Sequence, residues 1–409
     1  SLVQFLFAGC AQMNCAVDAF YCAVTQHQPG HKDRLYSDQH SQFTVICVRY
    51  GVLLYMIAVT VLCGWGTFYM LSSYEERLEF IEYNGFADDL GQSSQRSLDR
   101  TFEVTKLMAS ITAKACPNAS IWPNCSGISV DDYIDYIDSI VAINAQVRSV
   151  ALNPFIDDSQ IESFEAFAYE FYDEQGHGPN SSVPFGINAD FGKGISARDS
   201  NGVLFHTNVS YTLGENRLLA PILLQGKLEN NLGSLMFNVY YETARARGID
   251  EMINCINASA AEDAVNCGSV TDFIRLVQDE FTAVRPAALL YFPIFPSNDP
   301  TTLVGASFSV FNWDVVLSGH LASNVDSVHV VLTTGLQSFT YVVSESSVDV
   351  VGEGDLHESY LNHFRRSYVL TNPDHSTLRY EMHVYPSSQF EYDTSFPILG
   401  CSVTIVVIA

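Results

Sequence analysis

Hydrophobic and polar positions change texture several times along this chain. Positions 50–71 form a run of 22 residues without a charge, where a bilayer-crossing helix needs about 20. From Ser72 to about Ala115 there is no proline, and glycine occurs only at Gly85 and Gly91. Apolar residues recur at helical spacing at Leu71, Tyr74, Leu78 and Ile81, then at Phe102, Met108 and Ile111. The span is therefore predicted to continue as a long helix, ended by Pro117 and the neighbouring cysteines. A second helix is predicted from Ser129, which with Asp132 resembles a capping box. Val130, Ile134, Ile137, Val141 and Val147 share its face, and Pro154 stops it. A third opens at Ser159-Gln-Ile-Glu162 and buries Ile161, Phe164, Ala168 and Phe171.

From Gly176 the pattern turns to short strands. Segments 219–224, 273–278, 287–295 and 303–311 read as strands, with a short helix over 241–247 closed by Gly248. After another short helix near 313–320, strands recur at 328–332, 338–343 and 378–385. The last alternates cleanly, with Leu378, Tyr380, Met382 and Val384 facing in and Arg379, Glu381 and His383 facing out. Helices first and two antiparallel sheets afterwards give an α+β class: long N-terminal stalk helices, then two tandem sheets.

Charge sorts these elements by compartment. The first 49 residues carry three acids and three bases, so the whole net charge of −26 falls after the apolar run. Arg49 precedes that run, with Lys32 and Arg34 upstream, while Glu75, Glu76, Glu79 and Glu82 follow it. Positive residues stay cytoplasmic, so 1–49 is expected inside and 72–396 outside. An uncleaved signal-anchor fits better than a signal peptide, whose apolar core is usually about 7–15 residues and nearer the start. A second uncharged run begins at Phe396 and continues to Ala409. It is expected to be the start of a second transmembrane helix, cut short at 409, and the apolar beginning at Ser1 is expected to be truncated too. The chain would then be a multi-pass cell-membrane protein with 72–396 extracellular. So acidic a surface excludes nucleic acid and anionic lipid surfaces as partners, since both need clustered Lys and Arg.

The outer segment holds four cysteines in two close pairs, Cys116 with Cys125 and Cys255 with Cys267, expected as local disulfides in an oxidising space. It also holds all five Asn-x-Ser sequons, at Asn118, Asn124, Asn180, Asn208 and Asn257, the expected glycosylation sites. Catalytic motifs are absent. His357-Glu358 and His363 have the wrong spacing for His-Glu-x-x-His and read as a surface helix. Gly352-Glu-Gly-Asp355 reads as a turn whose aspartate caps that helix. Gly192-Lys-Gly194 is a loop rather than a phosphate cradle. Cys10, Cys15 and Cys22 match no zinc pattern. No metal, cofactor or catalytic residue is expected within 1–409. A ligand pocket is expected where Ile222, Leu224, Leu290, Phe292 and Phe308 alternate toward one side of adjacent strands, with Phe237 close by; ordinary core packing is the competing reading of each.

The segment 143–167, INAQVRSVALNPFIDDSQIESFEAF, resembles the opening of the CHASE domain, an extracellular sensor of cyclases and histidine kinases. The segments 219–222, 230–237, 275–278, 289–295 and 303–311 follow in that family's order and spacing. Trp122-Pro123, Phe339-Thr-Tyr341, Gly352-Glu-Gly-Asp-Leu-His357 and Tyr385-Pro-Ser387 further resemble the ectodomains of diatom receptor-type nucleotide cyclases. The resemblance implies stalk helices over 72–175, a distal PAS-like module over about 176–320 and a proximal one over about 321–396. It implies a small extracellular ligand held in the distal module and a cyclase domain following Ala409. Where plant cytokinin receptors carry an aspartate, this chain has Lys227 after Gln225 and Gly226, so cytokinin is not carried over. The alternatives are the sensor of a hybrid histidine kinase and a surface glycoprotein without signalling output. Pairing of two copies through the long helix is also expected.

Overall fold

The uncharged run and the proline-free stretch beyond it form one helix, α1 (Arg34–Ala115). The computed structural model describes residues 34–143, 146–188, 192–199, 203–207, 218–226, 232–276, 285–318, 327–357, 364–370 and 379–386. Within α1, the 27 residues Val48–Tyr74 are long and apolar enough to cross a membrane, and none of that window is buried. The expected second run, from Phe396, lies outside the described residues. Leu78–Asp393 packs as a compact unit by itself.

Past α1, the Cys116–Cys125 disulfide closes a tight loop before α2 (Val130–Ile143). Ser129 caps α2 as its pattern predicts, its Oγ accepting from the Asp132 N–H at 3.1 Å. The expected continuation of this helix to Pro154 does not form. Residues 147–154 are instead a strand, β1 (Val147–Pro154), with seven of its eight residues buried. A strand covered on both faces shows no alternation, so Val147 and Val150 to Leu152 mimic a helical face. Next comes α3 (Ile161–Glu174), preceded by a single turn that Asp157 and Gln160 cap reciprocally, rather than Ser159. Phe164, Ala168, Phe171 and Tyr172 form the buried face of α3, while Ile161 is only partly covered.

Two short hairpins follow, β2 (Ile187–Asn188) with β3 (Gly192–Lys193) and β4 (Ser196–Arg198) with β5 (Leu204–His206). The expected strand over 219–224 is mostly extended chain held by single bridges, Leu219 to Ile156 and Pro221 to Asn238. Only β6 (Leu224–Gln225) joins a ladder. The helix expected to close at Gly248 runs on as α4 (Thr243–Ala258). Ile249, Met252 and Ile253 extend its buried face, and that burial outweighs the preference of glycine for helix ends. A Cβ at Gly248 would sit 2.9 Å from Thr271 Cγ2 and 3.0 Å from Tyr291 Cε2. The glycine thus sets the close approach of α4 to the sheet. The Cys255–Cys267 disulfide ties the end of α4 to β7 (Ser269–Val270).

With β8 (Ala287–Ile294) and β9 (Gly305–Asn312), these strands form an antiparallel sheet of order β6-β1-β9-β8-β7. The helix α5 (Trp313–Leu317) leads to a second antiparallel sheet. Its strands are β10 (Ser327–Thr333), β11 (Ser338–Ser344), β12 (Val348–Glu353), β13 (Arg366–Leu370) and β14 (Tyr380–Pro386), in order β12-β11-β10-β14-β13. Strand β12 replaces part of the expected turn, which narrows to Gly354 with φ of 99°. Most of the expected helix after Asp355 lies outside the described residues.

Both sheets present one face to the part of α1 beyond Leu78. The Thr105 hydroxyl donates to Ser309 Oγ at 2.6 Å, and the Phe102 ring meets Phe292 edge-on at 5.9 Å. At the second sheet, the Tyr83 hydroxyl donates to the Val384 carbonyl at 2.7 Å, and Tyr368 donates to Asp88 at 2.6 Å. An aromatic cluster joins the sheets to each other. The Trp313 and Tyr380 rings lie 4.5 Å apart, Phe273 and Phe339 lie 4.9 Å apart, and the Tyr380 hydroxyl donates to the Thr271 carbonyl at 2.6 Å.

His383 faces outward by alternation yet is 7% exposed. The Arg365 guanidinium donates to its Nε2 at 3.2 Å, which leaves Nδ1–H as the donor to Ser367 Oγ at 3.0 Å. Burial first, and the Arg365 charge second, hold its pKa below the ordinary histidine value; Glu381 and Asp355 oppose that shift and His357 adds to it.

Two outcomes follow from this packing. Gly248→Ala is expected to destabilise the folded unit by about 1–3 kcal/mol through overpacking, less up to about 1 kcal/mol of helix propensity; denaturant unfolding reads the difference. The unfolded chain takes up a proton near pH 6.5 more readily than folded His383 does. Its contribution is therefore complete above about pH 6.5 and is lost as pH falls below it. Thermal midpoints measured from about pH 8 down to pH 5 are expected to fall more steeply for the wild type than for His383→Gln.

Candidate functional site

Strand register decides which residues of the first sheet meet which partners. Ala151 pairs with both Phe308 and Gln225, Ser149 with Val310, and Val310 with Leu289. Residues opposite each other in an antiparallel ladder share a face. These six therefore stand on the face turned away from α1. Residues 218–226 and 232–245 cover that face, pinned by the Tyr172 hydroxyl of α3, which donates to the Leu223 carbonyl at 2.6 Å.

Between face and cover lies a cavity of about 40 Å³, lined on its apolar side by Ile222, Val239, Leu276, Leu289, Phe308 and Val310. Arg148, Ser149, Gln225, Ser234 and Arg245 supply the polar lining. Among the described residues no carboxylate lines it, in a chain of net charge −26. The hydroxyls and amide are already networked. Ser234 donates to Gln225 Oε1, Gln225 Nε2 donates to Ser149 Oγ at 3.1 Å, and Ser149 donates to the Gly226 carbonyl at 2.8 Å.

Arg245 is the unusual member. It is 4% exposed, projecting from the first turns of α4. Its guanidinium lies 5.3 Å from the centroid of the Phe237 ring and pairs with Glu242 at 2.6 Å. It also donates to the Arg275 carbonyl at 3.0 Å. A buried guanidinium needs this much compensation, because its desolvation is large. Met236, beside this cover, is a non-glycine residue with positive φ, 62°. Its backbone N–H donates to the Ile222 carbonyl at 2.8 Å, and its carbonyl accepts from Ser196 at 2.9 Å. Such a conformation costs about 1–3 kcal/mol and persists where the surroundings impose it.

The expected pocket residues divide between two places. Ile222 and Phe308 line the cavity, and Phe237 stands behind Arg245. Leu224 pairs with Leu152, Leu290 with Ser309 and Phe292 with Ser307, which puts these three on the opposite face, toward α1. All eight residues of β8 are buried, so the sequence offers no polar alternation to show which parity faces the cavity; Leu289 rather than Leu290 does. The polar lining was missed because buried Arg245 looks like any charged residue of an exposed helix. Its partner Glu242 three positions earlier was the available signal. Lys227 and Asn208 lie outside the described residues. No cluster of metal-binding side chains occurs among the described residues.

No family model matches the chain, and no curated protein matches it. Among solved structures, it is similar to a methyl-accepting chemotaxis protein X, at 11% identity and a TM-score of 0.37, over 77% of this chain and 100% of that one. It is also similar to the periplasmic sensory domain of the Campylobacter jejuni chemoreceptor Tlp1, at 9% identity and a TM-score of 0.34, over 74% of this chain and 92% of that one.

Removing one partner of a fully buried ion pair typically costs about 3–5 kcal/mol. The Glu242 side chain is 39% exposed, so Glu242→Gln is expected to destabilise by a smaller amount, about 1–2 kcal/mol. Pairing it with Arg245→Met is expected to recover part of that loss in a urea-unfolding double-mutant cycle.

Proposed function

We propose that this chain is the sensor portion of a transmembrane receptor, binding a small extracellular ligand in the cavity beneath the cover formed by residues 218–226 and 232–245. The observation that carries this reading is the placement of that cavity: it occupies one face of a sheet whose other face packs on α1, the helix that also contains Val48–Tyr74. A cavity of about 40 Å³ has room for about three waters. A metabolite must therefore displace the cover to bind. A ligand that favours the displaced arrangement shifts the population toward it, which is the physical requirement for a signal.

The basic flank at Arg49 and the disulfides support an outside location for Leu78–Asp393. Asn118, Asn124, Asn180 and Asn257 are exposed, as glycan acceptors must be. For the output we favour a nucleotide cyclase over a histidine kinase. Three segments that resemble diatom receptor cyclases support this choice from well-packed positions: Trp122 donates to the Cys116 carbonyl, Phe339 to Tyr341 lie in β11, and Tyr385 packs under His357. Exposed Tyr74 and Ile81 stand seven positions apart on α1, a spacing that suits pairing with a second copy.

Three measurements test this reading. A metabolite screen by thermal shift on the membrane-reconstituted chain is expected to yield a ligand worth about 2.7 kcal/mol at hundredfold saturation. That shift should disappear in Ile222→Trp, which fills the cavity; no hit from the screen, or a hit indifferent to the filling, removes the support for ligand sensing. Glycosidase treatment of the chain made in a eukaryotic secretory system is expected to remove mass that Asn→Gln changes at 118, 124, 180 and 257 also remove. An unmodified chain contradicts the outside location. Cysteines placed at Tyr74 and Ile81 are expected to crosslink copies in membranes, and purely monomeric products contradict pairing.

A further inference from the structure

A larger cleft lies between the two sheets. It encloses about 420 Å³, within the usual range of about 300–1,000 Å³ for small-molecule sites. It is roughly tenfold roomier than the cavity under the cover. Its floor is apolar, built from Phe273, Ile274 and Pro286 of the first module and Phe339 of the second. These four are buried, and the two phenyl rings meet edge to face at 4.9 Å.

The polar lining divides by module. Arg275 comes from the first and Glu353, at the end of β12, from the second. Both side chains are exposed, and neither forms an ion pair among the described residues. Glu242 also lines the cleft, but its carboxylate is taken by Arg245. Among the described residues the cleft therefore offers one cation without an ion-pair partner on one module, one such anion on the other and an aromatic floor common to both.

We infer that this cleft is a second binding site, for a small zwitterion with an apolar body. Its carboxylate meets Arg275, its ammonium meets Glu353, and its apolar part lies on Phe273 and Phe339. A ligand that lacks either charge leaves one rim group without a partner. A ligand with both clamps the modules together, because each charge is held by a different module. The Arg275 backbone carbonyl accepts from Arg245, which lines the smaller cavity. Occupancy of the cleft thus acts one hydrogen bond away from that cavity, whatever fills the latter.

The test uses isothermal titration of the membrane-reconstituted chain with three probes: L-phenylalanine, phenethylamine and 3-phenylpropanoate. L-Phenylalanine is expected to bind at least about fivefold more tightly than either singly charged analogue, the scale of one exposed ion pair. Glu353→Gln is expected to remove its advantage over 3-phenylpropanoate, and Arg275→Gln its advantage over phenethylamine. Both residues are exposed, so unchanged thermal midpoints are expected for the unliganded variants. Phe339→Ala is expected to weaken all three probes together. Absence of heat at millimolar L-phenylalanine, or equal binding of the three probes, overturns the proposal. Binding that survives Glu353→Gln and Arg275→Gln but is lost in Gln225→Leu belongs to the smaller cavity; that result overturns the cleft site and leaves the sensor reading intact.

Discussion

Burial of one face of α1 beyond Leu78 is the constraint on which the rest depends. Tyr83, Ala87, Leu90, Leu98, Phe102 and Met108 are each 4% exposed or less, and they are covered from two sheets far apart in sequence. Neither sheet could bury that face alone, because a sheet needs a partner layer to exclude water. The polar contacts fix the register of this packing. Thr105 to Ser309 sets the first sheet, and Tyr83 to the Val384 carbonyl sets the second. A slip of one residue in β9 would turn the Ser309 side chain to the wrong face.

This division of faces also explains the candidate sites. Because Leu290, Phe292 and Ser309 are committed to α1, only the opposite face of the first sheet is available for a cavity. The cover that closes it holds Met236 at positive φ, and it meets α4 through the pair Glu242–Arg245. Arg245 is then the wall between the small cavity and the cleft that Glu242 and Arg275 line. The aromatic junction of Phe273, Trp313, Phe339 and Tyr380 makes the two sheets one packed body rather than beads on a helix. Any rearrangement of the cover is consequently felt at the junction, since interiors packed this tightly transmit strain.

Much of this was legible in the sequence where a local rule and the tertiary demand agree. The long helix, the Ser129 cap, strands β8 to β11 and β14 and both cysteine pairs are such cases. Legibility failed where burial is two-sided. Residues 147–154 are covered on both faces, so they read as the tail of a helix although they form the strand next to the centre of the first sheet. The same two-sided burial of β8 hid the parity that separates Leu289 from Leu290. Gly248 misled for a different reason. Local propensity made it a helix end, whereas the close contact with Thr271 and Tyr291 makes it an interior residue. Polar cavity residues such as Ser149 and Gln225 carry no local signal at all, and Arg245 carries only its spacing from Glu242. Their function depends on partners as far as 77 positions away in sequence, as for Ser149 and Gly226.

The central claim is that α1 beyond Leu78 and the two sheets fold as one cooperative body. Native-state hydrogen exchange tests it most directly, because it reports opening free energies amide by amide. The account predicts that amides between Tyr83 and Met108 exchange with the same opening free energy as those of β8, β9 and β10. Exchange of those helical amides at a markedly lower free energy, while the strands stay protected, would contradict it.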